Sequence, residues 1–158
     1  MRIDLSGKRA VVSGSTAGIG FAIAAGLAGA GAAVVLNGRK EHSVREAVSR
    51  LAGQVRGARV EGIAADLSTA DGVARFIDRI PSADILVNNL GIFDPKPFGE
   101  IPDSEWEHFF QANVMSGVRL SRHYLPGMKA QDWGRIVFIS SESGIQIPVV
   151  RGRPASRI

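Results

Sequence analysis

The sequence contains no cysteine, which excludes disulfide bridges and any metal site built on thiolates. Its three histidines, His42, His108 and His123, stand far apart, and no two have the spacing of metal ligands on one helix. We therefore expect no bound metal. The absence of cysteine is also typical of cytoplasmic proteins, so the cytoplasm is the expected compartment.

Long apolar runs are missing as well. No segment reaches the roughly 20 residues needed to cross a bilayer, and the N-terminus, with Asp4 near its start, lacks the pattern of a secretory signal. These absences argue against a membrane protein and predict a soluble globular chain. The chain has 158 residues, of which 45% are hydrophobic, and this is enough to fill the core of one domain.

The excess of basic charge is small and unevenly placed. The net charge is +4, but Arg151, Arg153 and Arg157 supply three of these charges near the C-terminus, which leaves +1 for the rest. Three arginines without interleaved aromatic residues or an amphipathic period are a poor nucleic-acid or membrane surface. We therefore expect neither kind of partner.

The most informative stretch is VVSGSTAGIG, from Val11 to Gly20, where an apolar run ends in three spaced glycines before an Ala-rich segment. This order predicts a strand, a turn and a buried helix. Gly14 lets the chain leave the strand sharply, Gly18 allows the backbone to approach a phosphate, and Gly20 removes a side chain where helix and strand pack. An anionic ligand would then meet the free N–H groups at the start of the helix.

At the head of a βαβ unit, this turn predicts a dinucleotide site. A Walker-type phosphate loop is excluded because no Lys-Ser or Lys-Thr pair follows the last glycine. A nucleophile elbow is excluded because a threonine stands where its serine would be. The turn residues expected to contact the dinucleotide are Gly14, Ser15, Thr16, Gly18, Ile19 and Gly20.

A second apolar segment, residues 32–36, predicts another buried strand, and Asn37-Gly38-Arg39-Lys40 follows it. A Rossmann fold meets the adenosine ribose here, and an acidic residue would bind the 2′-hydroxyl of NAD. Gly38 holds the acidic position, while Arg39 offers a guanidinium suited to a 2′-phosphate. The alternative is a solvated basic turn. Together with the glycine turn, the pattern favours NADP as the cofactor over NAD.

Strands and helices alternate along the chain, which predicts an α/β fold: a doubly wound parallel sheet of Rossmann type in three α/β/α layers. Right-handed crossovers give the strand order 3-2-1-4-5, with the cofactor crevice beside the first strand. The predicted strands are residues 8–12, 32–36, 59–64, 83–87 and 134–140, and the predicted helices are 19–30, 41–51, 72–80 and 104–125.

The last of these helices is predicted to open with a capping box, Ser104 and Glu107, and to end at Pro126. Asn113 is a polar amide in the middle of its apolar face and needs hydrogen-bond partners if buried. The core residues expected on this helix are Phe109, Phe110, Val114, Val118 and Leu125. Asp66, which follows the third strand, has two interpretations: a cap of the next helix, or a contact to adenine at the carboxyl edge of the sheet.

Five motifs in this order resemble those of the short-chain dehydrogenases/reductases. They are Ser13-Gly14-x-x-x-Gly18-Ile19-Gly20, Asp66, Asn88-Asn89-Leu90-Gly91, Asn113 and the segment from Gly134 to Ser141. The resemblance covers residues 1–148, which we expect to form an NAD(P)-binding domain. One departure is Leu90, which stands where the family has alanine.

The resemblance implies hydride transfer between a nicotinamide dinucleotide and a small carbonyl or alcohol substrate. It also implies roles for single residues. The glycines would hold the pyrophosphate, and Arg39 the 2′-phosphate. Asp66 and its neighbour Leu67 would meet the adenine, and Asn88 and Gly91 would line the ribose side. Ser141 matches the serine that polarises the substrate carbonyl, and Asn113 matches the asparagine of the proton relay.

Two catalytic residues of the family have no match. Its tyrosine and lysine would fall near positions 154 and 158, where the sequence has Pro154 and Ile158. The only tyrosine, Tyr124, has no lysine four residues on and is expected to pack within the long helix. The chain is therefore expected to be inactive as an enzyme. The alternative function is a non-catalytic nucleotide-binding or interaction fragment.

The end of the chain also departs from the family. The sequence stops before the elements that follow the fifth strand, and residues 149–158 form a basic tail rich in Arg, Gly and Pro. We interpret this as a truncation after the fifth strand with a frameshifted or substituted end. An apolar fifth strand at the edge of the sheet, with a long helix beside it, predicts self-association into a homo-oligomer.

Overall fold

The computed structural model describes residues 3–141. Its strands are β1 (Arg9–Val12), β2 (Ala33–Gly38), β3 (Arg59–Ala64), β4 (Ile85–Asn88) and β5 (Arg135–Phe138). Its α-helices are α1 (Gly18–Gly29), α2 (Glu41–Gln54), α3 (Ala70–Arg79), α4 (Asp103–Phe110) and α5 (Ser116–Ala130). A 3₁₀ turn covers Phe98–Glu100, and a π-helical segment, Gln111–Met115, joins α4 to α5.

The five strands form one parallel sheet in the order β3-β2-β1-β4-β5, which confirms the predicted order. In the centre, Val11 of β1 lies opposite Val35 of β2 and Leu86 of β4. Because the order reverses beside β1, a ligand crevice is expected at the carboxyl edge of the sheet next to β1. The turn after β1 lies at that point.

The core has two halves, one on each face of the sheet, because successive strand side chains point to opposite faces. Val11 belongs to the half packed against α3 and α5, with Phe76 and Leu120. Its neighbour Val12 belongs to the other half, with Ala24 of α1 and Leu51 of α2. All six side chains are fully buried. This arrangement confirms the three predicted layers.

The long helix predicted at residues 104–125 is interrupted by the π-helical segment. The Ser116 N–H bonds to the Gln111 carbonyl, five residues back instead of four. One extra residue in a turn rotates every following side chain by about 100° relative to the preceding helix. Apolar residues spaced three or four apart across this segment therefore do not lie on one face of the helix.

Part of the predicted core of this helical region is wrong. Phe110, Val114 and Leu125 are 52%, 44% and 41% exposed, and Phe109 and Val118 are half-buried. The buried face of α5 instead carries residues at a spacing of four, which suits an α-helix. They are Leu120, Tyr124 and Met128.

Both predicted ends of this helical region are also wrong. Pro102 holds the N-cap position of α4, and no side chain caps the helix, so Ser104 and Glu107 form no capping box. At the other end, α5 continues past Pro126 to Ala130. Pro126 is exposed, so the carbonyl that it leaves without an N–H partner can be hydrated. A similar extension carries α2 past Gly53 to Gln54.

β5 is the last strand among the described residues. It pairs with β4 on one side, and no strand of residues 3–141 pairs with its other side. The predicted basic tail, residues 149–158, and the predicted frameshift lie outside the described residues, as do positions 154 and 158.

Candidate functional site

The turn between β1 and α1 has the backbone conformation for which glycine is needed. Gly14 and Gly18 have φ angles of +59° and +58°, in the left-handed region that other residues disfavour. A Cβ at Gly18 would meet no atom within 4 Å, so the surface of the turn is open there. α1 begins at Gly18, and its N-cap residue, Ala17, makes no side-chain hydrogen bond to it. A helix start without a capping side chain is suited to bind a phosphate.

Gly20, in the first turn of α1, lies against the loop that follows β4. A Cβ at this position would collide with the Asn89 side-chain amide and with the Gly14 carbonyl. The same amide donates hydrogen bonds to the carbonyls of Ser13 at 3.1 Å and Gly14 at 2.9 Å. We predicted that Gly20 packs a helix against a strand, but its contacts are with the turn itself and with the residue directly after β4.

Ser13 joins the same two loops from inside the protein. Its Oγ accepts hydrogen bonds from the N–H groups of Asn89 and Leu90, each at 3.0 Å, and it is 1% exposed. A Cβ at Gly14 would lie only 3.1 Å from the Leu90 Cα, so the loops also touch directly. The turn after β1 and the loop after β4 therefore form one continuous wall of the crevice.

Asn37, the fifth residue of β2, joins three strand ends. Its side chain is 2% exposed, and its Nδ2 donates to the carbonyls of Ile63 at 3.2 Å and Ala65 at 3.1 Å. Its Oδ1 accepts a hydrogen bond from the Gly14 N–H at 3.2 Å. Sequence reasoning treated Asn37 only as the first residue of a basic turn and missed this role. The available signal was a polar residue directly after an apolar strand.

Ser15 was predicted to contact the dinucleotide, but it is fully buried behind the turn. Its N–H donates to the Asn37 carbonyl at 2.8 Å, and its Oγ donates to the Val12 carbonyl at 2.7 Å. The geometry therefore gives Ser15 a supporting place in the turn. Ile19 differs, since it is 66% exposed on the first turn of α1.

A cavity of about 190 Å³ opens between the turn after β1 and the ends of β2 and β3. Arg39 is exposed at this cavity, and Gly38 faces Thr16, because a Cβ at Gly38 would collide with the Thr16 methyl group. The residues that line it are Gly14, Thr16, Ala17, Asn37, Gly38, Arg39, Ala65, Leu67 and Leu90. Four residues predicted to bind the cofactor, Gly14, Thr16, Arg39 and Leu67, thus surround one space.

Three larger cavities, of about 420, 320 and 260 Å³, lie at the amino edge of the sheet, near Trp133, His123 and Arg59 respectively. They contain none of the predicted site residues. In a parallel α/β sheet, ligands bind at the carboxyl edge. The smaller cavity beside Arg39 is therefore the relevant one.

Asp66 follows β3 at the carboxyl edge. Its Oδ1 accepts hydrogen bonds from the Ser68 N–H at 3.0 Å and the Ser68 Oγ at 2.7 Å. Burial disfavours the charged form, but these hydrogen bonds and the positive charges of Arg39 and His108 outweigh it and lower the pKa of Asp66. Asp66 is therefore an ionised acceptor beside the cavity.

Asp66 had two interpretations, a cap of the next helix or a contact to adenine, and the structure does not support the cap. The N-cap of α3 is Thr69, whose Oγ1 accepts a hydrogen bond from the Gly72 N–H at 3.0 Å. The Asp66 side chain makes no bond to the first turn of α3 and instead closes a short turn with Ser68. Leu67 is 1% exposed and belongs to the core as well as to the cavity lining.

Asn113 lies in the π-helical segment and bonds to the loop after β4. Its Oδ1 accepts from the Ile92 N–H at 2.7 Å, and its Nδ2 donates to the Ile92 carbonyl at 3.1 Å. A Cβ at Gly91 would lie 3.6 Å from the Asn113 Oδ1. Asn113 thus finds its hydrogen-bond partners in the backbone of the loop after β4. Its side chain is exposed and not buried.

Asn88 directs its side chain toward α5 and not toward the cavity. Its Nδ2 donates to the Ser121 Oγ at 3.2 Å, and a Cβ at Gly117 would lie 3.3 Å from its amide carbon. The buried Oδ1 of Asn88 has no hydrogen-bond partner within residues 3–141. The backbone carbonyl of Asn88 accepts from the Ile139 N–H at 3.0 Å, and the exposed Ser141 follows two residues later.

A family model described as short chain dehydrogenase matches residues 8–153. The chain belongs to the short-chain dehydrogenase family. Its relatives include the "Uncharacterized oxidoreductase YvaG" of Bacillus subtilis, which is 49% identical over 145 residues, covering 92% of this chain and 55% of that protein. D-beta-hydroxybutyrate dehydrogenase of Cupriavidus necator is 39% identical, covering 89% of this chain and 55% of that protein.

Solved structures of the family are similar over the same part. L-Sorbose reductase from Gluconobacter frateurii, in complex with NADPH and L-sorbose, is 38% identical with a TM-score of 0.87, covering 92% of this chain and 57% of that chain. A metagenomic short-chain oxidoreductase in complex with NADP is 35% identical with a TM-score of 0.83, covering 92% of this chain and 66% of that chain. The chain thus spans about half the length of the curated relatives that it matches.

The sole tyrosine of the chain is part of the core. Tyr124 is 2% exposed, and its hydroxyl donates a hydrogen bond to the Ile80 carbonyl at 2.8 Å. Burial raises the pKa of the phenol far above its ordinary value. These contacts confirm the predicted packing role and leave Tyr124 away from the cavity.

Within residues 3–141, no helix has both the length and the apolar character that crossing a membrane requires. In the same range, no group of three or more histidine, aspartate or glutamate residues is arranged to hold a metal ion.

Proposed function

We propose that the chain binds NADP(H) at the carboxyl edge of its sheet, as part of a short-chain dehydrogenase. The observation that carries this proposal is the open glycine turn: Gly14 and Gly18 in left-handed conformation, ahead of a helix that has no side-chain cap. Such a helix start has N–H groups to give to a phosphate and the positive end of the helix dipole beside them. The turn residues proposed to face the pyrophosphate are Thr16, Gly18 and Ile19.

The choice of NADP rests on the cavity beside the turn. Gly38 supplies no carboxylate where NAD-binding proteins hold the ribose, and Arg39 offers a full positive charge at the same cavity. Two of the similar structures, L-sorbose reductase and the metagenomic oxidoreductase, carry NADPH or NADP. Asp66 and Leu67 are proposed to meet the adenine. NAD is the less favoured cofactor.

The family reaction is hydride transfer between nicotinamide and a carbonyl or alcohol, and the bound cofactor would supply that hydride. Ser141 is proposed to polarise the substrate carbonyl, and Asn113, fixed to the Ile92 backbone, to support the proton relay. A positioned proton donor commonly contributes about 10²- to 10⁴-fold to such a reaction. With Pro154 and Ile158 where the family has tyrosine and lysine, we propose that this chain by itself has little or no turnover.

A second candidate is a non-catalytic nucleotide-binding or interaction fragment that self-associates. The observation that favours it is the apolar end of β5, where Val137, Phe138 and Ile139 are 44%, 56% and 39% exposed. Exposed apolar edge strands tend to pair with another chain. Sedimentation velocity over a range of concentrations tests this proposal. A homo-oligomer that Val137→Lys dissociates would support it, and a monomer at every concentration would contradict it.

Thermal unfolding with saturating NADPH, and separately with NADH, tests the proposed binding. A ligand at about one hundred times its Kd stabilises the native state by roughly 2.7 kcal/mol, which raises Tm by about 5–10 °C for a domain of this size. We expect a clear shift with NADPH and a smaller one with NADH. No shift with either nucleotide would contradict the proposal.

An NADPH oxidation assay with a panel of ketones and aldehydes tests the proposed loss of activity. We expect no turnover above background. Turnover that Ser141→Ala abolishes would show a competent enzyme and would contradict the proposed loss of activity.

A further inference from the structure

Arg50 of α2 reaches across to the glycine turn. One of its terminal guanidinium nitrogens donates a hydrogen bond to the Thr16 carbonyl at 2.7 Å, and its Cζ lies 3.9 Å from the centroid of the Phe21 ring in α1. These two contacts hold the planar guanidinium on both its edge and its face. Arg50 therefore connects α2 with the turn after β1 and with the first part of α1.

Arg50 bonds to Thr16, which lies in the middle of the glycine turn. Thr16 lies between Gly14 and Gly18, and glycine gives the backbone more conformational freedom than any other residue. A phosphate that orders a mobile turn loses affinity to the entropy of ordering it, so a turn that is already fixed binds more tightly. The bond from Arg50 fixes the Thr16 peptide before any ligand arrives.

The charge of Arg50 has the right sign for the same ligand. The two salt bridges found within residues 3–141 both involve Lys96, so Arg50 has no acidic partner in this part of the chain. Its bond to Thr16 places the guanidinium within two residues of the start of α1, whose dipole is also positive at that end. The Arg50 charge and the dipole of α1 therefore both favour an anion at the start of α1.

We propose that Arg50 is a positioning residue for the dinucleotide pyrophosphate, through the Thr16 peptide and through its charge. This inference rests on the proposed nucleotide binding. It assigns Arg50 a role different from that of Arg39. Arg39 lies at the cavity proposed for the adenosine end, whereas Arg50 does not line that cavity and holds the turn proposed for the pyrophosphate. NADPH and NADH share the pyrophosphate, so Arg50 serves both.

The test compares Arg50→Gln with Arg45→Gln, a matched removal of charge from an exposed arginine of the same helix. We expect Arg50→Gln to weaken NADPH and NADH by the same factor, about two- to fivefold, as for one charge at a helix terminus. Arg45→Gln should leave both affinities within about twofold of the wild type. Arg50→Lys keeps the charge and should retain most of the affinity.

Hydrogen exchange of the free protein gives a readout that needs no ligand. The hydrogen-bonded amides on either side of Thr16, those of Ser15 and Phe21, should exchange faster in Arg50→Gln than in the wild type or in Arg45→Gln, while the amides of β2 stay protected. Equal affinities for Arg50→Gln and Arg45→Gln, a loss confined to NADPH, or unchanged exchange in the turn would each overturn the proposal. A wild-type chain that binds neither nucleotide would instead refute the proposed function.

Discussion

Ser15 and Asn37 are joined by two hydrogen bonds in opposite directions. The Ser15 N–H donates to the Asn37 carbonyl at 2.8 Å, and the Asn37 N–H donates to the Ser15 Oγ at 2.9 Å. Both residues are buried, and the Asn37 amide continues the network to the end of β3. The glycine turn is thus held from behind by backbone and side-chain bonds, so its outer surface can remain open without the turn losing its shape.

Asn37→Asp should destabilise the protein by about 2–4 kcal/mol, because the carbonyls of Ile63 and Ala65 would lose their donor and face a buried carboxylate. Urea unfolding at neutral pH measures this loss. Gln54→Glu, the same amide-to-acid change at the exposed end of α2, is the control and should alter stability by less than about 0.5 kcal/mol. Similar losses for the two variants would contradict the proposed network.

Gly20→Ala should cost about 1–3 kcal/mol, because its Cβ would collide with the Asn89 amide and the Gly14 carbonyl. Gly26→Ala is the control in the same helix, where a Cβ meets no atom within 4 Å. It should stabilise the protein by up to about 1 kcal/mol, since alanine favours a helix interior. Thermal unfolding of the two variants checks the difference, and a stable Gly20→Ala protein would be inconsistent with the close contact between α1 and the loop after β4.

Arg39→Gln should weaken NADPH by about tenfold or more and leave NADH within about twofold, because a charged hydrogen bond to the 2′-phosphate would be lost. Fluorescence titration with both nucleotides measures the two affinities. Arg45→Gln removes the same charge from a nearby exposed site and should not change the ratio of the two. If Arg39→Gln weakens NADPH and NADH equally, Arg39 does not select the cofactor.

The sequence predicted those parts of the site that depend on the backbone conformation of single residues or on the order of strands and helices. Gly14 and Gly18 are glycines because of their backbone angles, so their spacing alone indicated the turn. The alternation of strands and helices was sufficient to predict the sheet order, because crossover handedness leaves few topologies.

Roles that depend on distant contacts were not predictable in the same way. The bonds of Asn37 to Ile63 and Ala65 join residues 26 and 28 positions apart, and no periodicity records them. The π-helical segment at Asn113 changes the helix phase within five residues, so the apolar period on either side pointed Phe110 and Val114 to the wrong face. Asn113 itself was the one local sign of this interruption, as a polar residue in an apolar stretch.

The lowered pKa of Asp66 predicts a pH dependence of stability. A carboxyl group whose pKa is lower in the folded state than in the unfolded state stabilises the fold above the unfolded value, here 3.8, because the folded state then favours the charged form. That stabilisation is lost as the pH falls through the folded pKa, where both states become protonated. The bonds from Ser68 and the charge of Arg39 should therefore stabilise the protein at neutral pH and cease to do so in acid.

Asp66→Asn tests this relation, because asparagine keeps an acceptor for Ser68 and removes the charge. At neutral pH the variant should be less stable than the wild type, and the difference should close as the pH is lowered below about 3.8. Urea unfolding of both proteins between pH 7 and pH 3 measures it. Asp78→Asn, at an exposed position of α3, should change stability by less than about 0.5 kcal/mol at either pH. A difference at Asp66 that stays constant across this range would mean that the carboxylate acts through shape and hydrogen bonding, and that its charge contributes nothing.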